Sequence, residues 1–250
     1  MRDNQKGIPE DIDYALGRSY AEYDHLIEQG ELFRPLTERM LRSSGIRRGM
    51  RVLDVGCGVG DVSFLVAAIV GPEGRVVGAD LDAEALKVAE KRRREQRIDN
   101  VEFLHSDARL INPVRPFDAA VGRFTLMFIT EPTEALEHIA KHVRLGGIVA
   151  FHEFDARVTT AVAMNQPILA RLQELLARTF ERSGAHLEIG SELYWRMLSL
   201  GLEPEPRPLA EFAVHMGKGE VAYRRWALFA RSMLPKIVEY GLATSKNFSR

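Results

Sequence analysis

The chain has a single cysteine, Cys57, among 250 residues. One thiol closes no internal disulfide, which excludes a disulfide-stapled scaffold and fits a reducing cytoplasm. An excess of charge is also missing: 34 Lys and Arg stand against 35 Asp and Glu, for a net charge of −1. That removes the electrostatic case for nucleic acid or an anionic membrane surface as a partner. No uninterrupted apolar run approaches the roughly 20 residues that cross a bilayer. The segment Met1 to Asp13 is polar and charged, unlike a secretory signal. Metal-ligand clusters are scarce as well. His138 and His142 stand one helical turn apart, but no third ligand is legible nearby, and they read as surface residues. What the chain does have is 46% hydrophobic residues, ordinary for a globular protein with a real core.

The most informative stretch is Val52-Leu53-Asp54-Val55-Gly56-Cys57-Gly58-Val59-Gly60-Asp61. Apolar residues bracket an acid, and three glycines follow at alternate positions. Beyond Asp61, Val62, Phe64, Leu65, Ala68 and Ile69 recur at helical spacing. The pattern reads as a buried strand, a tight turn and a helix start, whose free amides face a ligand. Cys57 reads as a small residue that fits the turn. A dinucleotide fingerprint wants its third glycine where Asp61 stands. Glycines at 56, 58 and 60, with Asp54 before them, instead resemble motif I of the class I S-adenosylmethionine (SAM)-dependent methyltransferases.

Further stations follow. Val76-Val77-Gly78-Ala79-Asp80 is a strand ending on an acid, placed to accept from ribose hydroxyls, with Leu81 next to it. Asp82 suits a helix N-cap. The basic run Lys91 to Arg94 closes that helix and reads as a solvated end. Val101 to Leu104 forms a third strand and runs into His105-Ser106-Asp107-Ala108. The resemblance implies that Asp107 accepts from the adenine amino group, with the backbone of Ala108 nearby. A fourth strand, Phe117 to Gly122, opens with Asp118, an acid with a structural role in the family. It leads to Arg123, which either faces the cofactor carboxylate or pairs with an acid; both remain open. Glu131-Pro132 starts a helix, Leu145-Gly146-Gly147 ends it, and Ile148 to Phe151 is the fifth strand.

These alternations predict an α/β fold: a Rossmann-like, mainly parallel, doubly wound sheet with N-terminal helices and a helical lid. The chain is expected to be one domain, 1–250. A helical cap covers 1–45, the SAM-binding core 46–157, and the lid and C-terminal segment 158–250. In the cap, Tyr20 to Ile27 and Leu32 to Leu41 suggest two helices, with Pro35 in the first turn of the second. Tyr14, Arg18 and Tyr20 belong either to a surface turn or to a flap that touches the cofactor. In the lid, helices are expected over 168–180, 189–200 and 221–237, the last kinked at Pro235, with a sixth strand over Glu211 to Met216. The family's final antiparallel strand is not legible: Ala243 to Arg250 is short and polar.

Within the family the chain is most similar to small-molecule enzymes of the ubiquinone/menaquinone-biosynthesis-like and natural-product type. No Asn/Asp-Pro-Pro-Tyr/Phe signature of amino-directed nucleic-acid enzymes follows the fourth strand. The resemblance implies a SAM cofactor, S-adenosylhomocysteine as product, and in-line attack by an O, N or C nucleophile of a small, apolar acceptor. His152 is the first candidate for a general base and Glu153 the second; a structural pair at the strand end is the plain alternative. The helical lid also allows a homodimer. Two other functions stay open: a SAM-fold binding protein, catalyst or partner subunit without methyl transfer, and, less favoured, an NAD-dependent dehydrogenase.

Overall fold

The computed structural model describes residues 20–156, 167–205 and 220–244. Its centre is a five-stranded sheet, β1 (Arg51–Val55), β2 (Arg75–Asp80), β3 (Val101–His105), β4 (Phe117–Arg123) and β5 (Val143–His152). The strand order is β3-β2-β1-β4-β5 and all four pairings are parallel. Parallel strands need crossovers, supplied here by α2 (Asp61–Val70), α3 (Ala83–Glu95) and α4 (Pro132–Lys141). Both sheet faces are covered, so the central strands are apolar on both sides. Val52, Val76, Ala119, Val121 and Ala150 pack toward α2. The alternate residues Leu53, Val55, Val77, Ala120 and Phe151 pack with α4 and the C-terminal helices α5 (Pro167–Arg182), α6 (Ile189–Ser199) and α7 (Glu220–Glu239). None of the described helices is long and apolar enough to cross a membrane.

Two expectations need correction. The cap contains one continuous helix, α1 (Tyr20–Ser43), with Pro35 inside it rather than a break. Proline costs about 3 kcal/mol in a helix interior. Burial on both sides of it, by Tyr23 at 5%, Thr37 at 0% and Leu41 at 0% exposure, offsets that cost. The second correction concerns Gly146-Gly147, which lie inside β5; helix α4 has already ended at His142. Phe117 pairs with Val143 and Ala119 with Ile148, so β5 bulges between those contacts. Glycine is required there: a Cβ on Gly147 would sit 2.4 Å from Val143 Cγ1 and 2.7 Å from Asp118 O.

Asp82 caps α3 as expected, accepting from Glu84 N at 2.9 Å and Ala85 N at 3.2 Å. Asp118 ties strand ends together, accepting from Arg51 N at 2.8 Å and Arg144 Nε at 2.7 Å. The expected strand at 211–216 lies outside the described residues.

Candidate cofactor and acceptor site

The chain leaves β1 for β2 on one side and later places β4 on the other. This makes the carboxyl ends of β1 and β4 the switch point of the sheet, where open α/β folds bind ligands. The glycine turn lies there. Gly56 N and Cys57 N both donate to Ala79 O, at 2.8 and 3.1 Å, and pin the turn to β2. Gly56 has φ 65°, and a Cβ on it would strike Thr125 at 2.4 Å. At Gly58, φ 50°, a Cβ would meet only Leu26, at 3.9 Å. The turn is therefore packed shut at Gly56 and open at Gly58. Asp80 accepts from Gly58 N at 2.7 Å through Oδ2 and from Asp82 N at 2.8 Å through Oδ1. Each oxygen keeps a lone pair for a further donor. Leu81 follows at the strand end, its carbonyl held by His105 Nε2 at 2.9 Å.

Asp54 is placed beneath the turn, not in the crevice. It is fully buried and accepts from Ser63 Oγ at 2.6 Å. Burial pushes its pKa up to about 7 despite that hydrogen bond. Cys57 is buried beside it, and burial raises its thiol well above the ordinary value. It fills space and brings no reactive thiolate, as its place in the turn implied.

Helix α1 forms the roof. Tyr23 OH donates to Asp82 Oδ2 at 3.0 Å, and Gly30 lies so close to Asp61 that a Cβ would be 2.5 Å from its Cγ. Phe33 meets Phe124 edge-on at 5.0 Å and His152 at 5.9 Å. Arg92 departs from the solvated-end expectation: its guanidinium donates to Val59 O at 2.6 Å and to Asp61 Oδ1 at 2.8 Å, clamping the glycine turn. Its neighbours do remain at the surface, Arg94 pairing with Glu90 and Lys91 with Glu95.

Thr37 joins three groups. Its hydroxyl donates to Phe33 O at 3.0 Å and also lies 3.2 Å from His152 Nδ1 and 3.4 Å from Arg123 Nη1. A hydroxyl has one proton and two lone pairs. The proton is used on the Phe33 carbonyl, and Arg123 can only donate. His152 Nδ1 must then carry a proton and donate to Thr37, which leaves the lone pair on Nε2. Among the described residues Arg123 forms no ion pair.

Glu153 grips the neighbouring turn. Its Oε1 accepts from Thr125 N at 3.1 Å and Leu126 N at 2.9 Å, while Oε2 is buried without a partner among the described residues. The reason is local strain: Phe124 has φ 54°, which a side chain of its size rarely adopts. Phe124 N donates to His152 O at 2.8 Å, so β5 holds the strained residue from both positions.

Asp107 and Ala108 close the far side after β3. The Asp107 carboxylate accepts from Arg109 N at 2.7 Å and from Arg109 Nη2 at 2.6 Å. Burial alone would raise its pKa, but these contacts hold it below the ordinary value. Tyr14, Arg18 and the side chain of Tyr20 lie outside what the structure describes. His138 is engaged by the Ile111 carbonyl at 2.9 Å.

Residues 46–198 match the family described as a methyltransferase domain. The chain belongs to this methyltransferase family. It is 30% identical to the ubiquinone/menaquinone biosynthesis C-methyltransferase UbiE of Ectopseudomonas mendocina, over 81% of this chain and 79% of that one. The aklanonic acid methyltransferase DauC of a Streptomyces species is 33% identical over 56% of this chain and 63% of its own length. The YcgJ protein of Bacillus subtilis shares the fold at a TM-score of 0.57, with 18% identity, over 84% of this chain and 85% of that one.

The methyltransferase is of class I and SAM-dependent, and its crevice fits that cofactor. The open face at Gly58, the spare lone pairs of Asp80 and the guanidinium of Arg123 match a nucleoside hydroxyl pair and an amino-acid carboxylate. The electrostatics of the enzyme's two base candidates differ. Burial, with help from Arg123, lowers His152 to about 4, so its imidazole is neutral at pH 7. Burial raises Glu153 to about 7 against the pull of three backbone amides. Thr37, Arg92 and Gly30 were missed in sequence because each acts across the fold, without any local motif; Arg109 acts only two residues away, on Asp107.

Proposed function

We propose that this methyltransferase alkylates a small, largely apolar acceptor whose nucleophile is a phenol, an enolisable carbon or a free amine. The observation that carries this reading is the pairing of an apolar roof, Phe33 and Phe124, with a weakly basic imidazole at the carboxyl edge of β5. When bound, SAM supplies an activated methyl carbon on a sulfonium. The protein's work is then to hold, align and exclude water. Asp80 accepts from the ribose, Arg123 faces the carboxylate, and the Asp107 segment borders the adenine. His152 Nε2 accepts a hydrogen bond from the nucleophile and orients it. A base whose conjugate acid has a pKa of about 4 orients a proton but strips one poorly. An aliphatic alcohol therefore suits the site less than an acidic or already nucleophilic group. The names of the two relatives, one from quinone biosynthesis and one acting on aklanonic acid, support such an acceptor.

The test is calorimetric titration with SAM and with S-adenosylhomocysteine, followed by methyl-transfer assays on phenols, quinols and amines. Micromolar binding of both nucleosides is expected, and Asp80→Ala abolishes it. Full affinity in Asp80→Ala would show that the ribose is held elsewhere.

A further inference from the structure

The mechanism leaves two neighbouring titratable side chains of α1 unused, Glu22 and His25. His25 lies on α1, next to Leu26, which overhangs the glycine turn. Both of its ring nitrogens are buried, and among the described residues neither has a hydrogen-bond partner. Leaving such a group unpaired costs about 1–3 kcal/mol, so it marks a place where something is missing. A structural histidine would have found a carbonyl or carboxylate, as His138 and His105 do.

The surroundings say what kind of group is missing. His25 lies nearly parallel to Phe229 of α7, with centroids 5.2 Å apart and planes 20° apart. Phe229 continues to Phe180 of α5 at 6.2 Å, and Phe180 to Phe128 at 5.9 Å. Phe128 belongs to the 3-10 turn Leu126–Phe128 that follows β4, so this row of rings begins at the ligand edge of the sheet and ends at His25. Two turns before Phe180 on α5, Gln173 Oε1 is likewise buried without a partner among the described residues. The rings of the row are themselves uncharged, and the Glu28 charge acts on His25 less than burial does. Burial lowers the pKa of His25, and it raises that of Glu22, one turn away, to about 8. A neutral imidazole offers one donor and one acceptor, the pair a ring hydroxyl needs.

We propose that His25 reads the polar substituent of the acceptor, and that the acceptor is a flat ring carrying a hydroxyl, laid along the Phe128–Phe180–Phe229 row. The proposal rests on the methyltransferase reading above and adds the specificity-determining residue and the ring class it selects. His152 and His25 then address two different positions of one molecule, the nucleophile and a remote hydroxyl.

The experiment uses the full chain saturated with S-adenosylhomocysteine and two probes, 2-naphthol and naphthalene. Binding is followed by naphthol fluorescence and by competition. Wild-type protein is expected to prefer 2-naphthol by about tenfold, one good hydrogen bond. His25→Phe keeps the stack and removes both nitrogens; it should hold naphthalene within about twofold and lose the hydroxyl preference. His25→Gln, which restores a donor and an acceptor, should recover part of it. In protein labelled with 15N-histidine, the His25 signal, identified by its absence from His25→Phe, should shift on addition of 2-naphthol and remain still with naphthalene. A hydroxyl preference that survives in His25→Phe, or is absent from wild type, overturns the assignment. Failure of the wild type to bind S-adenosylhomocysteine strikes the methyltransferase reading itself and this assignment with it. Cofactor binding without hydroxyl preference strikes the assignment alone.

Discussion

Thr37 shows how much a single hydroxyl decides at this site. It is fully buried, and its one proton is committed to Phe33 O at 3.0 Å. With that proton committed, His152 Nδ1 donates to Thr37 and the lone pair stays on Nε2. Replacing Thr37 with Val keeps the volume but removes the acceptor of both His152 and Arg123. Turnover is expected to fall about tenfold or more, one lost hydrogen bond at the nucleophile, with SAM affinity within about threefold. Thr37→Ser should restore turnover. The distinguishing measurement is the 15N spectrum of His152, in which Thr37→Val loses the single tautomer. Unchanged turnover with a scrambled tautomer would remove His152 from the reaction. Both base candidates were legible in the sequence because they leave a strand at the functional edge. Their roles were not: which nitrogen is free, and that Glu153 braces the strained Phe124 turn, depend on atoms from α1 and β4 that no local pattern specifies.

At the scale of elements, the cofactor turn is held from outside by two helices. Arg92 reaches from α3 to Asp61 at 2.8 Å and to Val59 O at 2.6 Å. The pair is largely buried, with both side chains 17% exposed, so it is screened less than a surface bridge. Arg92→Ala should weaken SAM binding about tenfold while leaving the fold intact, as measured by calorimetry beside far-UV circular dichroism. Gly30 offers a sharper contest. In an exposed helix Gly→Ala stabilises by about 1 kcal/mol. Here the added methyl would be 2.5 Å from Asp61 Cγ, so either α1 retreats from the turn or the Asp61 carboxylate leaves its place against Arg92. Sterics are expected to win: Gly30→Ala lowers both the melting temperature and the SAM affinity. A higher melting temperature would mean that α1 does not press on Asp61.

Across the whole molecule, buried carboxyls set the pH response. Glu22 is raised to about 8, and Asp54 and Glu153 to about 7, each chiefly by burial. A group with a raised folded pKa gives stability below its unfolded value and loses it as pH climbs through the folded value. His152, lowered to about 4, works in the opposite sense: its contribution is present above its unfolded value near 6.5 and is lost as pH falls through 4. Between pH 6.5 and 8.5 loss of the carboxyl contribution outweighs the smaller opposing contribution of the lowered histidines, so stability should fall by about 1–3 kcal/mol over that range. Denaturant midpoints at pH 6.5, 7.5 and 8.5 check this, and Glu22→Gln should flatten the upper half. A midpoint that rises with pH would contradict the burial of these groups.

The sequence by itself determined the class of protein. Alternating apolar runs, the turn at Gly56, Gly58 and Gly60, and acids at two strand ends are local features. Strand, turn and cap are decided within a few residues of chain, so the end of β2 at Asp80, the Asp82 cap and the structural place of Asp118 were legible. Tertiary structure decided what local rules contradict. Pro35 sits inside a continuous helix and Gly146-Gly147 inside a strand, because packing energy exceeds local propensity where enough surface is buried. It also decided every partnership across the crevice: Thr37 with His152, Gly30 with Asp61, Arg92 with the glycine turn, His25 with Phe229. These contacts join residues as much as 204 positions apart, His25 to Phe229. A hydrogen bond or a ring stack between them depends on distances of a few tenths of an ångström, which arise only when the sheet, the roof helix and the C-terminal helices have closed on one another.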